Sequence, residues 1–240
     1  MSQMDTDTID LTVTSPPYDN LRSYNGYSFD FEMVARELYR VTKQGGVVVW
    51  VVGDATVKGS ETLTSFRQAL FFKDIGFNVH DTMIYEKAGL AFPDSNRYYQ
   101  MFEYMFILSK GAPKTFNAIK DRVNRSAGRI VNGKERNHAG TFSEKSGVGN
   151  VTKPLGTRFN IWKIPNMKRG VGHPAPFPEQ LAYDHIVSWS NPGDMVFDPF
   201  GGSGTTAKMC ALSGRLYISV DISEEYCEIA RKRVEGLSIV

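Results

Sequence analysis

The stretch that decides the fold spans residues 195–221 and runs apolar strand, Gly-rich turn, helix, strand and acid. The turn follows Met195-Val196-Phe197 and reads Asp198-Pro199-Phe200-Gly201-Gly202-Ser203-Gly204-Thr205-Thr206. Glycines let a ligand approach the backbone, and the following helix N-terminus offers free N–H groups. Asp221 ends the next strand, where a carboxylate commonly accepts ribose hydroxyls. This order predicts a cofactor with a nucleoside part at the carboxyl end of a sheet.

Two kinds of cofactor fit this turn. Gly202 to Ala207 matches the dinucleotide pattern with Ala in the third place, so a nicotinamide or flavin cofactor is one alternative. Asp198 argues against it, because a carboxylate at the strand tip would repel a pyrophosphate and attract a cationic amino group, such as that of S-adenosylmethionine. The turn lacks the Gly-Lys pair of a phosphate-binding loop and the last glycine of the Gly-x-Ser-x-Gly pattern.

Strands and helices alternate along the remaining chain. The patterns predict strands at 9–13, 47–52, 79–86, 103–109, 159–164 and 216–220, and helices at 30–39, 63–75, 179–189, 207–213 and 224–235. Residues 47–52 form a continuous apolar run, which is typical of a strand buried on both faces of a parallel sheet. The chain is therefore predicted to be α/β with a mostly parallel sheet.

A second unusual loop follows the first predicted strand and reads Thr14-Ser15-Pro16-Pro17-Tyr18. Neither proline has a backbone N–H, so the loop offers carbonyl acceptors and almost no donors. Such a loop suits a ligand group that is itself a donor, for example an amine. Ser15 adds a side-chain acceptor and Tyr18 adds a flat aromatic face. The alternative interpretation of this loop is an ordinary turn after a strand.

The positive charge of the chain is concentrated in one block. Residues 110–169 contain 14 Lys and Arg against 3 Asp and Glu, whereas the rest of the chain is acidic. A basic block on an acidic body suggests a polyanion as partner. Residues 111–160 have no clear period and are rich in Gly, Asn and Ser, which favours a surface insertion.

Composition limits the class of protein. A chain of 240 residues corresponds to one domain, or to one domain with an insertion. It contains no apolar run of transmembrane length, and its polar, acidic N-terminus is not a signal peptide. Cys210 and Cys227 fall in predicted helices and are expected to be core thiols, and the four histidines lack ligand spacing. We expect a cytoplasmic protein without a metal site.

The two loops together, 14–18 and 198–206, resemble the amino-group DNA methyltransferases of the β (circularly permuted) class. In that class the catalytic loop comes first, the target recognition region follows, and the cofactor loop comes last. The resemblance implies a Rossmann-like, S-adenosylmethionine-dependent methyltransferase fold with helices on both faces of the sheet. It assigns residues 1–110 to the catalytic half, 111–160 to target recognition and 161–240 to the cofactor half.

The resemblance also implies the reaction, which is methyl transfer to the exocyclic amine of a base flipped out of duplex DNA in a bacterial, archaeal or phage-infected cell. The catalytic residues would be Ser15, Pro16, Pro17 and Tyr18. The cofactor-binding residues would be the turn 198–206, Asp221, and His173, Phe177 and Pro178 from the segment before it. A basic face that binds phosphates and reads base edges would consist of Lys120, Arg122, Arg125, Arg129, Lys134, Arg136, Lys153 and Arg158.

The target base follows from the first loop position. Ser is more frequent there in family members that act on cytosine N4, and Asp in those that act on adenine N6. Ser15 therefore favours cytosine N4, with adenine N6 as the alternative. Asp54 could contact the cofactor or the target amine, and a plain strand-end carboxylate is an equal interpretation. Tyr98 and Tyr99 could stack on DNA, although core packing is expected for one of them.

Other interpretations stay open. They are a methyltransferase that acts on RNA or protein amines, a non-catalytic DNA-binding protein and a dehydrogenase. Members of the family carry a strand upstream of the catalytic strand that flanks the cofactor adenine, whereas eight residues precede Ile9 here. We expect this wall of the adenine pocket to be missing, shortened or supplied by a partner chain. An open sheet edge would also suit a homodimer.

Overall fold

A computed structural model describes residues 1–17, 29–88, 95–165 and 177–237. The chain divides into two compact units. The larger unit combines Met1–Asn117 with the part of the chain from Asn160 onward, and the smaller unit is Ala118–Phe159.

The larger unit alternates strands and helices. Its strands are β1 (Ile9–Thr14), β2 (Thr42–Val52), β3 (Thr56–Val57), β4 (Ser60–Glu61), β5 (Asn78–Ala88), β6 (Phe102–Ser109), β11 (Ile161–Pro165), β12 (Met195–Asp198) and β13 (Leu216–Ser219), and the smaller unit contains β7 (Arg122–Val123), β8 (Lys134–Arg136), β9 (Phe142–Glu144) and β10 (Leu155–Gly156). The helices are α1 (Phe31–Val41), α2 (Thr64–Asp74), α3 (Glu179–Trp189), α4 (Thr205–Leu212) and α5 (Glu224–Val234).

Seven strands form one sheet in the order β11-β5-β6-β2-β1-β12-β13. All neighbours are parallel except β6, which runs antiparallel to both β2 and β5. The sequence-based prediction of a mostly parallel α/β sheet is therefore confirmed. The first strand of the chain pairs with a strand near its end, with Thr12 opposite Phe197. This pairing brings the loops after β1 and β12 to the same edge of the sheet.

The helices cover both faces of the sheet. On one face, Val34 and Leu38 of α1 and Phe72 of α2 pack in a single cluster with Trp50 and Phe106 of the sheet. On the other face, α3 contacts β1 and α4, and α4 in turn contacts β12, β13 and α5. Helices therefore cover both faces of the sheet, as predicted. The sheet is buried between them, and the loops lie at the ends of its strands.

The strand predicted at 47–52 is longer in the structure, because residues 42–46 also belong to it. β2 already begins at Thr42, which pairs with Ile9, while Val47 pairs with Leu11. The residues between them bulge out of the register. Gly45 has a φ of 81°, a conformation that L side chains rarely adopt, and this glycine allows the bulge.

The smaller unit lies inside the predicted insertion 111–160. It contains two small antiparallel pairs, β7 with β10 and β8 with β9, and an isolated bridge between Ile130 and Val151. Polar contacts hold it together, including the ion pair between Arg158 and Asp121. The absence of a clear hydrophobic period fits a unit that is built mainly from turns and short hairpins.

Within the described residues, no helix is long and apolar enough to cross a membrane. The same residues contain no group of His, Cys, Asp and Glu that could hold a metal ion. Cys210 is buried in α4 and Cys227 is half-buried in α5, and both thiols are free. Burial raises the pKa of the Cys210 thiol, so this side chain stays protonated.

Candidate active site

The loop after β1 is connected directly to the Gly-rich turn. Thr14, the last residue of β1, is buried and donates a hydrogen bond of 2.7 Å from its hydroxyl to Oδ1 of Asp198. Ser15, Pro16 and Pro17 follow, and Pro16 is buried. The structure therefore brings the Ser-Pro-Pro loop next to the strand tip that carries Asp198. Tyr18 lies outside the described residues.

Asp198 is a buried carboxylate with several donors around it. Only 6 % of the residue is exposed, and it accepts hydrogen bonds from Thr14, the Thr206 hydroxyl and the Phe200 N–H. Burial raises the pKa of the Asp198 carboxyl; the three hydrogen bonds lower it, and the charge of Asp221 raises it again. The net shift is upward. A negative charge held here at neutral pH would attract a cation strongly, because little water screens it.

The turn after Asp198 folds tightly against two neighbouring elements. Gly202 and Gly204 have positive φ values of 48° and 78°. At Gly204 a Cβ would lie 2.6 Å from the Cβ of Ala230 in α5, so only glycine fits. The Gly201 N–H donates to the carbonyl of Val220, just after β13. The glycines therefore allow the turn to pack closely against α5 and the end of β13, directly before the N-terminus of α4.

Asp221, the second acid of the motif, stabilises the same turn. Its Oδ2 accepts from the Gly202 N–H at 2.9 Å, and its Oδ1 accepts from the Ser223 N–H at 2.9 Å. A carboxylate oxygen has more than one acceptor direction, so these bonds leave capacity for ribose hydroxyls. Asp221 and the Gly-rich turn therefore lie together, as the motif predicts.

The third predicted cofactor segment precedes α3. Phe177 is half-buried, and Pro178 is buried at the N-cap position of this helix. Glu179, the first helical residue, pairs with Lys208 of α4 and with Arg233 of α5, each at 2.7 Å. These pairs connect the start of α3 with the helices around the Gly-rich turn. His173 lies outside the described residues.

The family model of DNA methylases, of the N6/N4 methyltransferase type, matches residues 9–232. This chain belongs to the N6/N4 DNA methylase family. It is 61 % identical over 246 residues to the orphan methyltransferase M.BamHII of Bacillus amyloliquefaciens, covering 97 % of this chain and 91 % of that protein. The predicted class of enzyme, an S-adenosylmethionine-dependent DNA amino-methyltransferase, is confirmed, and DNA is its substrate.

Solved structures share the fold. The PvuII DNA methyltransferase, named as cytosine-N4-specific, aligns with a TM-score of 0.68 at 19 % identity, covering 97 % of this chain and 81 % of that one. TTHA0409 of Thermus thermophilus, in complex with S-adenosyl-L-methionine, aligns with a TM-score of 0.65 at 24 % identity and covers 98 % and 90 %. The circularly permuted Rossmann-like architecture predicted from the two motifs is thus confirmed.

The residues of the methylase that we assign to the cofactor fit S-adenosylmethionine chemically. Asp198 provides a buried negative charge for a cationic group, and Asp221 provides acceptors for hydroxyls. At Gly201 and Gly204 an added Cβ would collide with Ser219 and Ala230, so glycine is required at both positions for the turn to pack against β13 and α5. When bound, the cofactor would supply the methyl group.

Asp54 of the methylase has a structural partner. Its Oδ1 accepts from the Ser65 N–H at 2.8 Å, and its Oδ2 accepts from the Ser65 hydroxyl at 2.5 Å. The carboxylate therefore caps the first turn of α2, whose own N-cap residue, Leu63, makes no side-chain cap bond. Of the two interpretations of Asp54, the structure favours the strand-end carboxylate over a contact with cofactor or target amine.

The basic residues predicted to bind DNA divide into two groups. Six are exposed: Lys120, Arg125, Arg129, Lys134, Arg136 and Lys153. Arg122 and Arg158 are half-buried and bind within the smaller unit. Arg122 donates to the carbonyl of Thr157 and lies over the ring of Phe159, while Arg158 pairs with Asp121. These two arginines stabilise the fold of the unit. Tyr98, in the larger unit, is fully exposed and Tyr99 is 44 % exposed.

Sequence reasoning missed three residues of the site. Thr14 belongs to the predicted loop, but the sequence gives no signal for the bond of its hydroxyl to Asp198, because that contact depends on the pairing of β1 with β12. Arg233 and Glu179 gave no signal, because charged residues at helix ends are usually solvated. Their role follows from contacts between elements that are distant in the chain.

Proposed function

We propose that this methylase transfers the methyl group to the N4 amine of a cytosine that is flipped out of duplex DNA. One observation carries the proposal. The hydrogen bond between Thr14 and Asp198 joins the Ser15-Pro16-Pro17 loop to the Gly-rich turn. Acceptors for an amine and the proposed site of the methyl donor therefore lie at adjacent strand ends, which is the arrangement that direct transfer requires.

The chemistry follows from the weakness of the nucleophile. The lone pair of a base amine is delocalised into the ring, so the amine attacks poorly. In our proposal the Ser15 hydroxyl and the Pro16 carbonyl accept its two hydrogens, which localises the lone pair toward the methyl group. Tyr18 stacks on the base. Near-attack positioning then supplies much of the rate, and no covalent enzyme intermediate is needed.

We assign the two acids to different parts of the cofactor. Asp198 faces the cationic amino group, and Asp221 accepts ribose hydroxyls. The turn 198–206 supplies backbone donors, while Phe177, Pro178 and His173 form the apolar side of the site. The base must leave the duplex to reach this place, at a cost of roughly a few kcal/mol.

The choice of cytosine N4 over adenine N6 rests on Ser15. A hydroxyl in this position is more frequent in family members that modify cytosine, and a carboxylate in those that modify adenine. Adenine N6 methylation would use the same loop and the same cofactor geometry. The product analysis described below separates the two.

Target recognition is assigned to the smaller unit. It contains nine Lys and Arg against three Asp and Glu, and six of the eight proposed DNA-binding residues are exposed. Exposed cations bind phosphates and position the duplex, while base edges are read by side chains in the grooves. We propose the exposed six for phosphate contact, with Arg122 and Arg158 holding the unit in shape.

The deciding experiment is direct. The protein is incubated with S-adenosylmethionine and unmethylated duplex DNA of mixed sequence, and the digested nucleosides are analysed by mass spectrometry. We expect N4-methylcytosine from the wild type and from Ser60→Ala, an exposed serine in β4. Ser15→Ala should lower the yield strongly. N6-methyladenine would overturn the base choice, and equal yields from Ser15→Ala and wild type would overturn the loop assignment. Parallel incubations with RNA and protein test the other substrate classes.

We further propose that a second copy pairs at the edge of the sheet formed by β13. Among the described strands, β13 has β12 as its one neighbour, and its Leu216 is 45 % exposed. An unpaired edge offers free backbone donors and acceptors to another chain. A single monomeric species by light scattering at micromolar concentration would contradict the homodimer.

A further inference from the structure

Helix α5 lies behind the Gly-rich turn although it is poorly anchored in the core. None of its side chains is fully buried. Two of its residues nevertheless contact the turn closely. Ala230 occupies the space beside Gly204, where an added Cβ would collide. Arg233, in the last turn of the helix, reaches the turn through its guanidinium group. The surface of α5 that carries Ala230 and Arg233 therefore packs mainly against the Gly-rich turn and not into the hydrophobic core.

The guanidinium of Arg233 bridges two parts of the proposed cofactor site. Nη1 donates to the Ser203 carbonyl at 2.7 Å, to the Ser203 hydroxyl at 2.8 Å and to the Thr205 hydroxyl at 3.3 Å. Nη2 donates to Oε1 of Glu179 at 2.7 Å. The Arg233 side chain is 15 % exposed, so these bonds are well shielded from water. One planar group therefore holds the turn on one side and the start of α3 on the other.

Glu179 completes the connection. Its carboxylate also accepts from Lys208 of α4 at 2.7 Å. Burial of the Glu179 carboxyl raises its pKa, but the bonds from Lys208 and Arg233 outweigh burial, and the pKa lies below its ordinary value. The group is thus ionised at neutral pH. Because Glu179 directly follows Pro178, this ion cluster fixes the segment before α3 relative to the Gly-rich turn.

We propose that Arg233 is a positioning residue for the cofactor, which holds the Gly-rich turn in its binding shape and ties it to the Phe177–Pro178 segment. The inference rests on the proposed assignment of the cofactor to this turn. A guanidinium suits the task because its donors form a rigid fork, whereas an ammonium is a single flexible point. A turn that is held before binding loses less conformational entropy when the ligand arrives, so affinity is higher.

The test measures cofactor affinity separately from the methyl-transfer step. Binding of S-adenosylmethionine to the full chain is measured by calorimetry for wild type, Arg233→Gln and Arg233→Lys. The control is Lys232→Gln, which removes one positive charge from the exposed neighbouring position of the same helix. Arg233→Gln should raise the Kd about tenfold, Arg233→Lys by a smaller factor, and Lys232→Gln not at all. Single-turnover rates at saturating cofactor should stay within about twofold of wild type.

A second variant covers the case in which Arg233→Gln does not fold, as judged by a thermal melt. Glu179→Gln removes the anchor of Nη2 but leaves the donors to Ser203 in place. It should weaken cofactor binding less than Arg233→Gln does, and combining the two should add little. If Arg233→Lys, Glu179→Gln and any folded Arg233→Gln all bind S-adenosylmethionine with wild-type affinity, the inference about Arg233 is overturned. The proposed cofactor site would then still stand. Failure of the wild type to bind S-adenosylmethionine would instead overturn the proposed cofactor site, and the inference with it.

Discussion

The Thr14 hydroxyl donates a 2.7 Å hydrogen bond to Oδ1 of Asp198, joining two strands that are 184 residues apart in the chain. Both side chains are buried. The bond connects the loop that we assign to the target amine with the turn that we assign to the methyl donor. In our proposal this bond sets the relative position of the two reacting groups, and the first prediction follows from it.

Thr14→Val keeps the size of the side chain and removes its donor. The Asp198 carboxylate then lacks one buried hydrogen bond, which costs about 1–3 kcal/mol. We expect cofactor affinity and the methyl-transfer rate together to fall by one to two orders of magnitude, measured by calorimetry and single-turnover assays.

Thr12→Val is the matched control for this change. Thr12 lies two residues earlier on the same strand and is also buried, but its hydroxyl has no hydrogen-bond partner among the described residues. Replacing an unpaired buried hydroxyl by a methyl group should leave activity unchanged and stability equal or higher. Equal losses in the Thr12 and Thr14 variants would show that the Asp198 bond has no special role.

Cofactor affinity should depend on pH through Asp198. Its pKa is raised, mainly by burial, so the carboxyl takes up a proton at a higher pH than an exposed aspartate does. Protonation removes the negative charge that we assign to the ammonium group. Affinity should therefore be full above the raised pKa and fall as the pH decreases through it. The stability of the folded state should change in the opposite direction. It should rise as the pH falls, because protonation removes the cost of burying the charged carboxylate.

Asp198→Asn separates this effect from other titrations. The amide carries no charge at any pH, so calorimetry should give an affinity about tenfold lower than that of wild type at neutral pH and a flat profile on acidification. A variant that keeps the acid-side loss of the wild type would assign the titration to another group, with Asp221 as the neighbouring carboxylate to examine.

Gly204→Ala should damage the site through two additive effects. The φ of 78° disfavours any side chain, and the new Cβ would lie 2.6 Å from the Cβ and 2.8 Å from the Cα of Ala230. Helix α5 must therefore move. We expect a loss of stability of more than about 1 kcal/mol together with weaker cofactor binding. Gly193→Ala has a similar φ of 85° and no neighbouring atom within 4 Å, so it reports the backbone effect alone and should leave cofactor affinity unchanged.

Charge neutralisation in the smaller unit should weaken DNA binding and leave the cofactor site intact. Substitution of the exposed Arg125, Arg129 and Lys134 by Gln should reduce affinity for duplex DNA across sequences. For every phosphate that a substituted side chain no longer neutralises, the slope of log K against log salt should become shallower by about one. Lys73→Gln, an exposed lysine in α2, is the control. An unchanged salt slope in the triple variant would exclude these residues from the interface.

Asp54→Ala should affect stability and spare chemistry. The carboxylate caps α2 through the Ser65 N–H and hydroxyl, and the loss of a cap costs about 1–2 kcal/mol. Denaturant unfolding should detect this loss, while the Kd for S-adenosylmethionine stays at the wild-type value. A large rise of this Kd in a folded Asp54→Ala variant would restore a direct contact between Asp54 and the cofactor or target amine.

Most of the fold could be predicted from local patterns. The helix predicted at 179–189 has the observed bounds Glu179–Trp189, because Pro178 stands at the N-cap position and the apolar spacing that follows is helical. The helix predicted from Ala207 begins at Thr205 instead, because Gly204 adopts a left-handed φ and starts the helix earlier. Within 111–160 the hydrophobic pattern predicted no strands or helices. Short hairpins such as β8 and β9 bury too few apolar side chains to produce a regular spacing in the sequence.

The sequence by itself determined the local chemistry. Two prolines without N–H groups, glycines in a tight turn and acids at strand ends are properties of a few adjacent residues, so the motifs indicated the family, the cofactor and the reaction. Only the tertiary structure decided which side chains meet. Thr14 meets Asp198 because β1 pairs with β12, and Arg233 meets Ser203 because α5 packs behind the turn. Such pairs depend on the strand order and on the packing of helices over the whole chain. A local sequence pattern carries no information about either.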